Sequence, residues 1–225
     1  MKFILKTAAL LAICLVVISS AAAQKKAAAK PFSTSGYYEG IEMSSKESGD
    51  YYGISIYLTQ SANDTFALVT EAPGGTINSP VLVKAKMSGK DMRTIEFTLP
   101  GDNGDRQFKG TVAATSLTTK YFDQKRVLKR SCGNTHSNIS TGSGGDVGGM
   151  EFYITDSGGS WFVLASEAEG ELKDPVLVPA QVTGKNYDKI SFSLGDRKFT
   201  GTRGSTVLTL NESGTKTVFK QKCYK

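Results

Sequence analysis

The stretch Val81-Leu-Val-Lys-Ala-Lys-Met87 has an apolar side chain at every second position, and it recurs as Val176-Leu-Val-Pro-Ala-Gln-Val182. Successive side chains of a β-strand point to opposite faces, so this period of two predicts a strand with one buried face. The stretches 95–99 and 190–194 alternate in the same way. Turn-forming residues separate such stretches at short intervals, and no window after the N-terminal segment carries a helical stripe. The sequence therefore predicts an all-β protein.

These strands belong to an internal repeat. Gly53-Ile-Ser-Ile-Tyr-Leu-Thr59 matches Gly149-Met-Glu-Phe-Tyr-Ile-Thr155 at an offset of 96 residues, and 129–132 matches 220–223 at an offset of 91. The offset changes only in turn-like stretches, where insertions are tolerated. We therefore expect two tandem antiparallel β-barrel-like or curled-sheet repeats, with no helix beyond a signal peptide. The pattern leaves open whether they form two barrels or one shared sheet.

The N-terminal segment and the repeat divide the chain into five parts. A basic start, the apolar run 8–18 and the small residues 21–23 predict a signal peptide over 1–23, hence a secreted or periplasmic protein that is not integral to a membrane after cleavage. A basic, Ala-rich linker follows at 24–35, then β repeat 1 at 36–132. We read 133–148 as a Gly/Ser/Asn-rich linker and 149–225 as β repeat 2. The segment 133–148 is poor strand sequence, so we expect the first repeat to close more completely.

The net charge of +6 is concentrated near the N-terminus. Two lysines lie within 1–23 and three within 24–35, so the remaining residues carry a net charge of only +1. A nucleic-acid-binding protein needs a dense basic surface on its folded body. We therefore expect no nucleic-acid partner.

The cysteine count fits an oxidising compartment. Cys14 lies in the predicted signal peptide, which leaves the pair Cys132 and Cys223 at equivalent ends of the two repeats. Disulfides persist in exported proteins, so we predict a bridge between these two residues. Free or intermolecular thiols are the alternative.

One stretch resembles a catalytic motif. Asp156-Ser-Gly-Gly159 is similar to the nucleophile signature of chymotrypsin-like proteases, a mechanism that needs a histidine and a carboxylate beside the serine. The single histidine, His136, falls in the predicted linker, where we expect it to be a flexible surface residue. The repeat places Asp156–Gly159 at a hairpin tip, so we expect a turn, with no catalytic residues, no metal site and no cofactor.

Two acidic and two basic residues occupy equivalent positions in the repeats. Glu71 corresponds to Glu167, and Arg106 to Arg197. Buried charges are costly unless they are paired, so we expect a Glu–Arg pair at each barrel mouth. Such a pair is either a structural salt bridge or the polar end of a ligand site, and the four residues are therefore candidate ligand-binding residues.

Four tyrosines form a second candidate site. Tyr37 and Tyr38 are adjacent on one predicted strand, as are Tyr51 and Tyr52. Adjacent residues on a strand cannot share a face, so we expect some of these rings to be exposed as an interaction patch.

The repeat unit also resembles a known kind of module. The resemblance lies in Pro80-Val-Leu-Val83, Gly89-Lys90 and Phe108-Lys-Gly-Thr111, with their counterparts in repeat 2. In the types and order of these residues the unit is similar to the lipocalin-like β domain that precedes some secreted α/β hydrolases. The resemblance covers the β module alone. It implies a barrel fold and an envelope setting, and it implies no activity.

The expected function is non-enzymatic. We expect an exported binding or interaction protein, whose partner is an unknown protein, an envelope component or a small apolar ligand. One alternative is a carrier that holds a small apolar ligand inside its lipocalin-like barrels. The second alternative, a hydrolase, lacks an acid–base set.

Overall fold

The computed structural model describes residues 33–44, 49–101 and 104–224. The predicted signal peptide and most of the linker at 24–35 lie outside the described residues. Within the described part the chain is all-β, and its single helical element is one 3-10 turn at Lys90–Met92. No helix in that part is long and apolar enough to span a membrane.

The first repeat forms a closed barrel of eight antiparallel strands, with one further short strand. The strands are β1 (Gly36–Glu39), β2 (Ile41–Met43), β3 (Tyr51–Gln60), β4 (Thr65–Pro73), β5 (Val81–Ser88), β6 (Thr94–Leu99), β7 (Arg106–Val112), β8 (Ser116–Tyr121) and β9 (Gln124–Ser131). Neighbours from β3 to β9 pair in sequence order, and β1 closes the ring by pairing with both β9 and β3. Gly40 lies between β1 and β2. A larger residue would not fit there, because its Cβ would lie 2.6 Å from the carbonyl oxygen of Ile54.

The second repeat builds the same closed barrel. Its strands are β10 (Thr135–Ser137), β11 (Ser140–Thr141), β12 (Val147–Ser157), β13 (Ser160–Leu172), β14 (Val176–Thr183), β15 (Lys189–Leu194), β16 (Arg197–Arg203), β17 (Val207–Glu212) and β18 (Thr215–Gln221). Here β10 closes the ring between β18 and β12. Two tandem antiparallel barrels are thus the architecture, and the question of one shared sheet is settled. Closure gives every strand of each ring a paired neighbour on both sides, although a ladder need not run the full length of its strands.

The strand β10 corrects two expectations from the sequence. The segment 133–148 is not purely a linker, and the second barrel is closed as fully as the first. His136 is not a flexible surface residue: it is 1% exposed, and it pairs with Phe152 on the inner face of the barrel, as Tyr38 pairs with Ile56 in the first barrel. Hydrogen bonding to strands on both sides overrides the poor strand propensity of these residues.

Both barrel interiors are filled by side chains. In the first barrel Phe97 stacks on Phe108 with 4.2 Å between ring centroids, and in the second Phe192 stacks on Phe199 at 5.1 Å. The fully buried side chains of the interiors, each less than 2% exposed, include Tyr38, Phe152, Ile54, Ile56, Leu58, Ile95, Leu117, Leu128, Ile154 and Leu208. Close packing of this kind supplies most of the free energy that holds a small barrel together.

The outer faces of the two barrels meet in an interface with pseudo-twofold character. At its centre the ring of Tyr57 stacks on the ring of its counterpart Tyr153, with centroids 4.1 Å apart and planes 7° from parallel. Leu68 and its counterpart Leu164 pack against the stacked pair. A surface patch that meets its own counterpart is the arrangement found in symmetric homodimers. The duplicated chain therefore resembles a homodimer joined into one polypeptide.

The two ends of the interface are tied by hairpin tips and by a disulfide. The β3–β4 hairpin donates from Ala62 N to Leu172 O at 2.8 Å, and the β12–β13 hairpin donates from Ser157 Oγ to Asn78 O. Cys132 and Cys223 are bonded to each other, with Cα atoms 4.6 Å apart, and the predicted disulfide is present. The bridge joins the ends of the two repeats.

Candidate functional site at the open end of the first barrel

Each of the four charged candidates from the sequence lies at the same end of its barrel. In the first barrel Arg106 Nη2 donates to Glu71 Oε2, and in the second Arg197 Nη1 donates to Glu167 Oε1. We call the barrel end around Glu71, Arg106, Tyr121 and Phe122 the first mouth, and the end around Glu167, Arg197 and Glu212 the second mouth. The structure thus brings each expected Glu–Arg pair together.

The second mouth is electrostatically complete. Arg197 bonds to two carboxylates, because its Nη2 also donates to Glu212 Oε2 at 3.0 Å. Glu212 and Glu167 together hold the pKa of the Arg197 guanidinium above its usual range, and Arg197 lowers the pKa of Glu212. This end of the barrel therefore presents a closed ion cluster rather than free hydrogen-bonding groups.

The first mouth lacks the second carboxylate. Tyr121 occupies the position of Glu212, and it is 4% exposed. The Glu71 carboxylate is the hydrogen-bonding neighbour of the Tyr121 phenol; Tyr121 Oη and Glu71 Oε1 are both buried, and neither has a further partner among the described residues. Burial raises the pKa of the Tyr121 phenol, and the nearby Glu71 charge raises it further, so the phenol is neutral and can donate. Unsatisfied buried polar atoms are rare in native structures and call for a physical explanation.

The sheet itself is open at the first mouth. In the second barrel the β16–β17 ladder extends to Phe199 opposite Glu212, whereas the equivalent β7–β8 ladder ends two residue pairs earlier, at Gly110 opposite Thr119. At the point of separation Thr119 Oγ1 donates to Lys109 O at 2.8 Å. Leucine, at position 210, holds the equivalent place in the second barrel and has no hydroxyl to make this bond. The threonine therefore caps a carbonyl that would otherwise belong to the ladder.

A cleft of about 820 Å³ lies where β7 and β8 separate. It is lined by β7, β8 and the β8–β9 turn, and Ile54, Glu71 and Leu99 reach it from the other strands. A second cleft of about 480 Å³ shares Glu71, Arg106 and Tyr121 with the first. Tyr121 and Glu71 thus line both clefts.

The turn beside the cleft holds two residues in an unusual backbone conformation. Phe122 has φ 46° and Asp123 has φ 60°, as a two-residue hairpin turn with two left-handed positions requires. The second barrel places Ser213 and Gly214 at the same positions, residues that tolerate this conformation far better than phenylalanine does. Positive φ in a bulky residue is a strained state, and such strain is concentrated at functional sites.

The strained phenylalanine is displayed rather than buried. The Phe122 side chain is 55% exposed, and its ring lies edge-on to Tyr121 with centroids 4.6 Å apart. The Arg106 guanidinium lies 5.7 Å from the same ring. The first mouth therefore combines an exposed aromatic ring, a cation paired with Glu71, and a buried phenol whose one hydrogen-bonding neighbour is the same carboxylate.

The expected patch of exposed tyrosines is not found. Tyr38 is fully buried inside the first barrel, Tyr37 lies against Tyr153 at the interface, and Tyr51 is half-buried. Tyr52 is also half-buried and packs edge-on to Tyr121, with the Arg126 guanidinium 4.9 Å from its ring. The prediction is wrong because barrel closure and the interface cover the two faces of each strand. Tyr52 nevertheless belongs to the wall of the first mouth.

The protease-like stretch is a turn. Gly158 and Gly159 connect β12 to β13, and Ser157 is 2% exposed with its hydroxyl bonded to a backbone carbonyl of the first repeat. No cluster of three or more potential metal ligands occurs among residues 33–44, 49–101 and 104–224.

Sequence reasoning missed Tyr121, Phe122 and Thr119. Their signal is present in the repeat at an offset of 91, which aligns Tyr121 with a glutamate and Phe122-Asp123 with Ser213-Gly214.

Comparison of the chain with protein-family models, curated proteins and solved structures finds no match.

Proposed function

We propose that the protein is an exported, non-enzymatic binding module, and that its binding site is the first mouth. The observation that carries the proposal is the difference between two copies of one fold. The second mouth is closed by a complete ion cluster and a full ladder, while the first has an open ladder, a buried phenol whose one hydrogen-bonding neighbour is the Glu71 carboxylate, and a strained, exposed phenylalanine. Each of these features costs free energy in the unliganded barrel, and a ligand at the mouth would offset the cost.

The filled interiors favour the mouth over the inside of the barrel. A carrier of a small apolar ligand needs core positions too small to fill the barrel, but the stacked phenylalanines and fully buried aliphatic side chains occupy that space in both barrels. Pockets at barrel mouths, lined by apolar groups and a few polar ones, are common ligand sites. The eight-stranded closed shape is compatible with the lipocalin-like likeness of the sequence, which we propose as the kind of module that was duplicated.

The disulfide supports export. A bridge between Cys132 and Cys223 persists in an oxidising compartment and is uncommon in the cytosol. Together with the signal peptide that the N-terminal sequence predicts, it supports a secreted or periplasmic setting for the binding function.

The second repeat supplies an internal control for a direct test. We would screen a library of small polar and aromatic fragments against the ¹⁵N-labelled protein by NMR. We expect chemical-shift changes at Arg106–Lys109 and Lys120–Lys125, and none at the equivalent residues 197–200 and 211–216. Equal changes at both mouths, changes confined to core residues, or no change with any fragment or short peptide would contradict the proposal.

A matched pair of variants sharpens the test. Tyr121→Glu gives Arg106 the second carboxylate that Arg197 already has, so we expect it to abolish fragment binding while the barrel stays folded. Glu212→Tyr makes the reverse change in the second mouth and should leave binding at the first unaffected. Retained binding in Tyr121→Glu would contradict the assignment of the site.

A further inference from the structure

We infer that the occupant of the first mouth is an acidic polypeptide segment in extended conformation, which pairs with the open edge of β7. The inference rests on the proposed binding function and names the class of its partner. Three observations support it: the orientation of the unpaired backbone, the charges around the opening, and the alternation of the cleft walls.

The backbone of β7 faces the cleft where the ladder is missing. Lys109 O accepts the Thr119 hydroxyl, so the peptide groups of Lys109 point toward β8 rather than toward β6. Both backbone groups of a residue in an antiparallel strand point to the same side, and the side alternates along the strand. The N–H and C=O of Gln107 therefore also face the cleft, beyond the last β7–β8 pair. Unpaired strand groups are a template for the addition of another strand.

The opening carries two cations that the fold does not neutralise. Lys120 and Lys125 lie directly opposite each other on β8 and β9, and both are exposed. Like charges at such positions destabilise a strand pair. The other cations nearby are already paired, Lys109 with Glu96 at 2.6 Å and Arg106 with Glu71. Neither Lys120 nor Lys125 forms an ion pair with another described residue, so the rim is complementary to carboxylates.

The walls of the cleft match the two faces of a strand. Tyr121 faces the barrel interior and Lys120 faces outward, as the alternating burial along β8 shows. Successive side chains of an added strand would face these walls in turn. Carboxylates at every second position would meet Lys120 and Lys125, and the side chains between them would reach Tyr121 Oη, Glu71 Oε1 and the ring of Phe122. Hydroxyl-bearing residues suit those inner positions, because they can donate to the carboxylate and accept from the phenol.

The test uses short peptides of this pattern. The probe is the N-acetylated, C-amidated peptide Glu-Ser-Glu-Ser-Glu with a fluorescent label, titrated with the full protein by anisotropy at low salt. Its basic counterpart, Lys-Ser-Lys-Ser-Lys, should not bind. A version N-methylated at the central residue keeps the charge but blocks one backbone hydrogen bond, and we expect about tenfold weaker binding.

Surface variants test the charge contribution without risk to the fold. We expect Lys120→Asn, which installs the residue of the second barrel, to weaken binding about fivefold, and Lys125→Asn to do the same. Lys216→Asn removes the equivalent of Lys125 from the second barrel and should have no effect. Equal loss in the Lys216→Asn control would show non-specific charge attraction and overturn the inference.

The outcomes separate this inference from the function on which it rests. If the N-methylated acidic peptide binds as tightly as the unmethylated one, strand addition is overturned. If fragments change the chemical shifts of the first mouth while no acidic peptide binds, the mouth is a binding site but its partner is not a peptide. The same conclusion follows if an acidic polysaccharide or an anionic vesicle binds there instead. Absence of any shift with fragments and peptides overturns both.

Discussion

The turn at Phe122-Asp123 offers the sharpest prediction, because its strain has a calculable effect on stability. We expect the double variant Phe122→Asn/Asp123→Gly to be more stable than the natural protein. An L-residue in the left-handed region costs about 1–2 kcal/mol, and asparagine and glycine largely avoid that cost. Aspartate already tolerates the conformation better than phenylalanine, so the total relief is about 2 kcal/mol.

The contacts of the phenylalanine ring reduce this gain. The edge-on contact with Tyr121 and the cation contact with Arg106 are each worth about 0.5–1 kcal/mol at a half-exposed site. The expected net effect is therefore an increase of about 1 kcal/mol in the free energy of unfolding, accompanied by weaker binding at the first mouth. Urea denaturation followed by the fluorescence of Trp161, with the disulfide intact, measures the stability.

A matched variant controls for the turn itself. Ser213→Asn gives the second barrel the same Asn-Gly turn without removing a bulky side chain, and its stability should stay within about 0.5 kcal/mol of the natural protein. If the Phe122→Asn/Asp123→Gly variant were less stable than the natural protein, the ring would be a packing residue. The argument from strain to function would then fail.

Three further outcomes are expected from other parts of the fold. Burial holds the pKa of His136 below its ordinary 6.5, so the unfolded chain takes up the proton first as pH falls. The free energy of unfolding should therefore not depend on His136 above about pH 7, and should fall by up to about 1.4 kcal/mol per pH unit below 6.5. Denaturation measurements between about pH 7 and 5.5 should show that His136→Tyr removes this slope. Glu151→Gln should cost about 2 kcal/mol, because the buried carboxylate accepts from Lys222 Nζ at 2.7 Å and is 5% exposed; a change under 0.5 kcal/mol would show that the interface does not depend on this charge. Cys132→Ser/Cys223→Ser opens a loop with a sequence separation of 91 and should lower the free energy of unfolding by up to about 4 kcal/mol, and added reductant should have no effect on that variant.

The strands of the first repeat follow closely from the alternation in the sequence. The stretches 81–87 and 95–99, predicted as strands from their period of two, become β5 and β6 with shifts of one residue at their ends. The closing strand β10 could not be found in this way. It has three residues, too few to show a period, and its stability comes from the strands on both sides.

The charged pairs of the candidate site were accessible from the sequence, but the opening was not. Equivalent positions for Glu71 and Glu167, with Arg106 and Arg197, indicate that each pair meets. The early end of the β7–β8 ladder depends on one side-chain hydroxyl that bonds to a backbone carbonyl. The alternation of apolar and polar residues does not reveal such a local competition between side chain and backbone, and only the comparison of the two repeats points to it.

Fusion of the two barrels has a consequence for stoichiometry. In a symmetric pair of separate chains every substitution occurs twice, so the two open ends would have to remain identical. Once both copies lie on one polypeptide, the first mouth can lose part of its β7–β8 ladder and gain a strained turn. The second mouth can keep the closed arrangement, which has the lower free energy. The partner should therefore bind one per chain, and the stacked Tyr57–Tyr153 contact should persist at any dilution, because its two halves cannot diffuse apart.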